Sequence, residues 1–202
     1  MNPQVIFTMA EWQRIMKVCT PFLSTYEPDI RIHPEISMIQ LDCNADHCTA
    51  VGLDGYQIGM CNVSCKVTGP KLALQLLVRP CKPPKDFDTV TIEETAEGHL
   101  TIIYSCLLSD KKLVEPQPIY DCSPTQYKKA VQKAHCPEKQ TLCIAFNPNY
   151  LIRALTPFAG KSHKNAALMY FGNPTEPVVI RFMKDAPENP LVETICFPVR
   201  IL

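Results

Sequence analysis

Cys43, His47, Cys48, Cys61 and Cys65 are the first residues along this chain whose types suit a metal ion. Zinc takes four such ligands in a tetrahedron, and neither cysteine pair has the two-residue spacing of a tight knuckle. Cys61 and Cys65 would share one face of an expected strand, about 13 Å apart at strand rise, too far for one ion without a bend. Their spacing favours small buried apolar side chains in a reducing compartment over a metal centre. No metal and no cofactor are expected.

Catalysis leaves few marks. The five histidines (His33, His47, His99, His135, His163) fall in loops or at element ends, and no G-x-S-x-G word accompanies them. Seven glycines leave little material for a phosphate-binding loop or a dinucleotide fingerprint. A cysteine nucleophile with a distant histidine is a combination that eleven cysteines produce by chance. No catalytic residues are assigned, and a thiol- or metal-dependent enzyme ranks third among the functional readings. Asn62-Val63-Ser64 spells a glycosylation acceptor, read as a chance match because no secretion signal is visible.

The elements that position these residues follow from periodicity. The 202 residues are 46% apolar, with 20 basic and 20 acidic side chains, the composition of an ordinary soluble chain with ample sequence for a core. No stretch approaches the roughly 18 apolar residues that a membrane span needs, and a cytoplasmic protein is expected. Val5–Thr8 predicts a strand, and Trp12, Ile15, Met16 and Cys19 then share one helical face. Ser24–Pro34 reads as a proline-rich loop. Ile36–Leu41, Cys48–Leu53 and Tyr56–Cys65 predict three strands, with Asp54-Gly55 as a tight turn. Further strands are predicted at Leu72–Val78, Thr89–Glu93 and Leu100–Ser105, the last with an extension toward Val114. The prolines between Arg79 and Lys85 exclude an ordinary helix there. Ser123-Pro124 opens a helix whose Tyr127, Ala130, Val131 and Ala134 share a face.

The last third repeats the pattern of residues 5–65. Leu142–Phe146 is strand-like, and Asn147-Pro148 reads as a helix N-cap followed by proline at the first helical position. Leu151, Ala154, Leu155 and Phe158 make the apolar face. Ala167–Phe171, Val178–Phe182 and Thr194–Ile201 close the chain as a meander. The fold class is α+β: antiparallel sheets with helices on one face, built from repeated β-α-β-β-β units.

The words Phe146-Asn147-Pro148-Asn149-Tyr150-Leu151, Glu176-Pro177-Val178-Val179-Ile180 and Cys196-Phe197-Pro198-Val199-Arg200 resemble the C-terminal half-domain of bacterial sliding clamps, the beta subunits of the replicative DNA polymerase. Val51–Ile58 is similar to the family's aspartate-glycine word, with Leu53 and Gln57 where threonine and arginine are usual. Ser109–Glu115 with Pro118-Ile119-Tyr120 is similar to a further family stretch. The closing Arg200-Ile201-Leu202 departs slightly from the family ending. The resemblance implies the DNA-clamp (processivity) type of fold, with a domain over 1–120 like the clamp's middle domain and a shortened C-terminal domain over 121–202. The alternative is one domain from 1–65 plus 140–202 with an inserted β segment.

The same resemblance implies two sites. The helices would turn Arg14, Lys17, Lys128, Lys129, Lys133, Arg153, Lys161 and Lys164 toward the backbone of duplex DNA, an attraction that is sequence-independent and salt-sensitive. Without the resemblance, these are ordinary solvated helix faces. A peptide pocket for polymerases and clamp loaders would draw on Leu53, Gly55, Tyr56, Gln57 and Ile58 on one side and Ile195, Phe197 and Pro198 on the other. On the bland reading, Ile195 and Phe197 are alternating sheet positions. The expected partners are duplex DNA, polymerase and clamp-loader peptides and further copies of the chain. A peptide-binding adaptor or competitor that forms no ring is the alternative.

Overall fold

The computed structural model describes residues 2–55, 57–95, 98–118, 122–134, 145–158, 167–173, 175–182 and 193–198. The chain divides into two compact units, Met1–Gln126 and Tyr127–Leu202. Among the described residues no helix is long and apolar enough to cross a membrane.

In the first unit β1 (Gln4–Thr8) runs directly into α1 (Met9–Cys19). Thr8 ends the strand and caps the helix: its Oγ1 accepts from the Glu11 amide at 3.3 Å, while Glu11 Oε2 accepts from the Thr8 amide at 2.9 Å. This reciprocal box satisfies two donors that a helix start leaves unpaired. The predicted apolar face is the buried one, with Trp12, Ile15 and Cys19 at 0% exposure.

The predicted loop Ser24–Pro34 instead contains a short helix, α2 (Glu27–Ile32). Pro28 sits in its first turn, where a missing N–H breaks no helical bond, so the proline that argues against a helix marks its start. Next come β2 (Ile39–Cys43), β3 (His47–Leu53), β4 (Ile58–Ser64) and β5 (Lys66–Thr68). Then follow β6 (Leu74–Val78), β7 (Thr89–Glu94), β8 (Leu100–Ser105) and β9 (Lys112–Pro116). The strand expected from Ile36 starts only at Ile39, because Pro34–Ser37 forms a 3-10 turn in which Ser37 Oγ donates to the Pro34 carbonyl at 2.8 Å.

Two antiparallel sheets result, in the orders β4-β3-β2-β6 and β5-β1-β7-β8-β9. The first three-strand meander, β2-β3-β4, takes β6 as its neighbour, and the second, β7-β8-β9, takes β1. Each meander is thus extended by the strand that opens the other copy. The unit is two β-x-β-β-β copies with exchanged first strands: x is α1 in the first copy, and in the second it is the proline-rich segment between Val78 and Thr89, which forms no helix. Alternation along the strands points Val5, Phe7, Val90, Ile92, Ile102 and Tyr104 from one sheet and Ile39, Leu41, Cys43, Cys48, Ala50 and Val63 from the other into one core with α1.

In the second unit α3 (Tyr127–Ala134) and α4 (Pro148–Leu155) precede β10 (Ala167–Tyr170), β11 (Val178–Phe182) and β12 (Glu193–Cys196). The three strands form an antiparallel meander in chain order. Val178 and Ile180 are fully buried, and Phe146, Leu151, Ala154, Leu155, Ala167 and Met169 pack on them. Asn147 caps α4 as expected, its Oδ1 accepting from the Asn149 amide at 3.0 Å. The strand expected at Leu142–Phe146 lies largely outside the described residues.

Candidate nucleic-acid interface and peptide site

Arg14 and Lys17 both lie exposed on α1, on the side away from Trp12, Ile15 and Cys19. The helix has one acid, Glu11, and its carboxylate is bound by the Thr8 amide and hydroxyl. Among the described residues neither Arg14 nor Lys17 is in an ion pair. The solvent side of α1 therefore carries net positive charge. In the second unit Lys128 and Lys129 are exposed on α3, and the Lys128 ammonium stands 6.0 Å from the centre of the Tyr127 ring. Arg153 is exposed in the last turn of α4, where a cation also suits the helix dipole. The side chain of Lys133, and Lys161 and Lys164 altogether, lie outside the described residues.

The aspartate-glycine word forms the β3–β4 turn. Gly55 has φ +92°, a conformation that L side chains resist. Asp54 closes the turn by accepting from the Gln57 amide at 3.0 Å and from Gln57 Nε2 at 3.1 Å. The Gln57 side chain is thereby held on Asp54. Leu53 is buried, and the Ile58 opposite it is 37% exposed. Tyr56 lies outside the described residues. In the second unit Ile195 is 51% and Phe197 66% exposed, with Pro198 half-buried. The register aligns Ile195 with Val179 and Tyr170 across the meander, so the three share the sheet face away from Val178 and Ile180. Sequence reasoning missed Tyr170. Its alternation with Met169 was the available signal.

The cysteines cluster more closely than their spacing suggests. Cys43 and Cys48 are directly opposite in the β2–β3 register. Cys65 follows β4 rather than ending it, and its amide donates to the Asp46 carbonyl at 3.1 Å, folding it back over the hairpin tip. Burial first, and then the Cys43 thiol, push the Cys65 thiol up to about 12. Cys61 packs against the core cluster that contains Cys19 of α1. Among the described residues no three histidine, cysteine or acidic side chains converge in a way that would hold an ion.

Sequence reasoning also missed a polar chain at the core edge. The Tyr104 hydroxyl lies 3.0 Å from Cys81 Sγ and 3.3 Å from Glu115 Oε2. Burial, followed by the Cys81 contact, raises the Tyr104 phenol above its ordinary range. Cys81 and Phe87 pack on the core from the segment that stands where a second helix was possible.

No protein-family model and no curated protein matches the sequence. Solved structures do. The DNA polymerase III beta chain of Streptococcus pneumoniae is 13% identical, with a TM-score of 0.47 over 100% of this chain and 65% of that one. For the beta subunit of Thermotoga maritima the values are 11% identity and 0.47, over 98% and 66%. The DNA polymerase sliding clamp of Pseudomonas aeruginosa gives 10% and 0.49, over 98% and 67%. The chain resembles bacterial sliding clamps. It spans about 65% of the length of the first of these.

Proposed function

We propose that this chain is a non-enzymatic, clamp-like processivity factor that holds duplex DNA by its backbone and takes short peptides from polymerases or clamp loaders. The observation that carries this reading is the solvent side of α1: its one carboxylate is held in the N-terminal cap, and the exposed Arg14 and Lys17 outnumber it. Cations displayed on a rigid helix attract phosphates without reading bases, as a protein that slides requires. Lys128, Lys129 and Arg153 add exposed cations on α3 and α4. The aspartate-glycine turn and the exposed Ile195 and Phe197 are the proposed peptide-binding positions. The edge strand β9, with Val114 56% exposed, offers backbone for pairing with another copy in a cytoplasmic homo-oligomer.

Light scattering at low and moderate salt, followed by retention on circular against linearised DNA, tests this. A closed multimer retained only on circles supports the ring. The alternative is an adaptor or competitor that binds the same peptides and forms no ring. It draws support from the segment between Val78 and Thr89, where the second copy has no helix to present cations. A strict monomer at micromolar concentration favours it.

A further inference from the structure

The proline-rich segment between β6 and β7 has an exposure pattern that repeats every third residue. Arg79, Lys82 and Lys85 are exposed, and the pairs Pro80-Cys81 and Pro83-Pro84 between them are half-buried. The sequence accounts for the repeat. Pro80, Pro83 and Pro84 fix φ at about −65°, and Arg79, Lys82 and Pro83 each precede a proline, which keeps them out of the helical region. The conformer left to such a run is polyproline II, a rod with three residues per turn and no internal hydrogen bonds. Cys81, Pro84 and Phe87 share one edge of that rod, and Cys81 and Phe87 pack on the core. Arg79, Lys82 and Lys85 share another edge, about 9 Å apart from one to the next.

The segment is pinned along its length. The Arg79 amide donates to Gln117 Oε1 at 2.9 Å, and Cys81 Sγ lies 3.0 Å from the Tyr104 hydroxyl. The Met9 amide donates to the Asp88 carbonyl at 2.8 Å, which joins the end of the segment to the start of α1. Among the described residues none of Arg79, Lys82 and Lys85 is in an ion pair. Of the acids that follow, Asp88 accepts from the Leu107 amide at 2.8 Å, and Asp86 is exposed where a φ of +66° turns the chain out of the rod.

We propose that Arg79, Lys82 and Lys85 form a second phosphate-binding row for the backbone of duplex DNA, presented by this rod in place of the helix that the second β-x-β-β-β copy lacks. The proposal rests on the clamp-like reading of α1 given above. A helix aligns cations three and four residues apart, whereas a polyproline rod aligns every third residue, and three is the spacing this segment has. Prolines order the rod before any ligand arrives, so little conformational freedom is left to lose on binding. A row of cations attracts phosphates and reads no base edges. An aromatic groove that recognises proline-rich segments would need Pro80 and Pro83 uncovered, and they are half-buried.

The test is lysine acylation of the intact wild-type chain with and without a duplex of mixed sequence at low salt, read by peptide mass spectrometry. Lys17, Lys82 and Lys85 should each be protected several-fold by the duplex, while Lys71, paired with Glu94, should not change. Protection of Lys17 without Lys82 and Lys85 would overturn this inference and leave the reading of α1 standing. Protection of none of the three would overturn both. The variant R79A/K82A/K85A, checked for a wild-type urea midpoint, should lower the log–log salt slope of duplex binding by about 3, one unit per lost phosphate contact. An unchanged slope there, beside a reduced slope in R14A/K17A, would also remove the rod from the interface.

Discussion

The carbonyl of Cys19, the last residue of α1, rests against Gly52 in the middle of β3, where no Cβ fits. One hydrogen-sized side chain therefore sets how closely the helix meets the sheet. The contact is backbone to backbone, so neither side can swing away. Gly52→Ala should destabilise the chain by about 1–3 kcal/mol, as overpacking does in a filled core. Gly59→Ala meets the Phe22 ring instead, a side chain that can turn, and should cost less. Urea midpoints of the two variants check the order.

The cap on α1 makes a separate prediction. Thr8→Ala removes the side chain that binds the Glu11 amide and carboxylate. A loss of about 1 kcal/mol is expected, with an unchanged denaturant slope. Thr8→Ser keeps both bonds and should lie close to wild type. Equal losses for the two variants would mean that the box contributes nothing.

If α1 meets DNA, Arg14→Ala with Lys17→Ala should weaken binding to any duplex sequence. The log–log salt slope should shrink by about 2, one unit per lost phosphate contact. Fluorescence anisotropy with two unrelated duplexes over a salt series reads both effects. An unchanged slope would remove α1 from the interface.

Alkaline pH should destabilise the first unit. Cys65 is pushed from 9.0 up to about 12 in the fold by burial and the Cys43 thiol. Between these values the unfolded chain has lost a proton that the folded chain keeps, so unfolding is favoured as pH rises. The contribution is complete below about pH 9 and fades toward 12. Tyr104 and Cys19 are raised in the same direction. Chemical denaturation at pH 8 and at stepwise higher values should show falling midpoints, less steep in Cys65→Ser.

Local pattern decided much of this protein. Trp12, Ile15, Met16 and Cys19 recur at helical spacing, and they are the buried face of α1 because a helix presents those positions together. Thr89–Glu94 and Leu100–Ser105 alternate as half-buried strands do, and Asn147-Pro148 caps α4 for reasons internal to the dipeptide. Pattern misled where one residue has opposite meanings by position. Pro28 reads as a breaker, yet it starts α2.

Partnership was decided only by the tertiary structure. Nothing local to β1 says that it joins β7, or that β6 joins β2, because strand pairing is a long-range choice fixed by which apolar faces must share one core. The thiols show the same division. Cys19 and Cys61 are small apolar residues in sequence, and Gly52 is merely a glycine inside a strand. The close seating of α1 on that glycine buries Cys19 in the cluster against which Cys61 also packs, because a residue without a Cβ leaves room for a helix backbone.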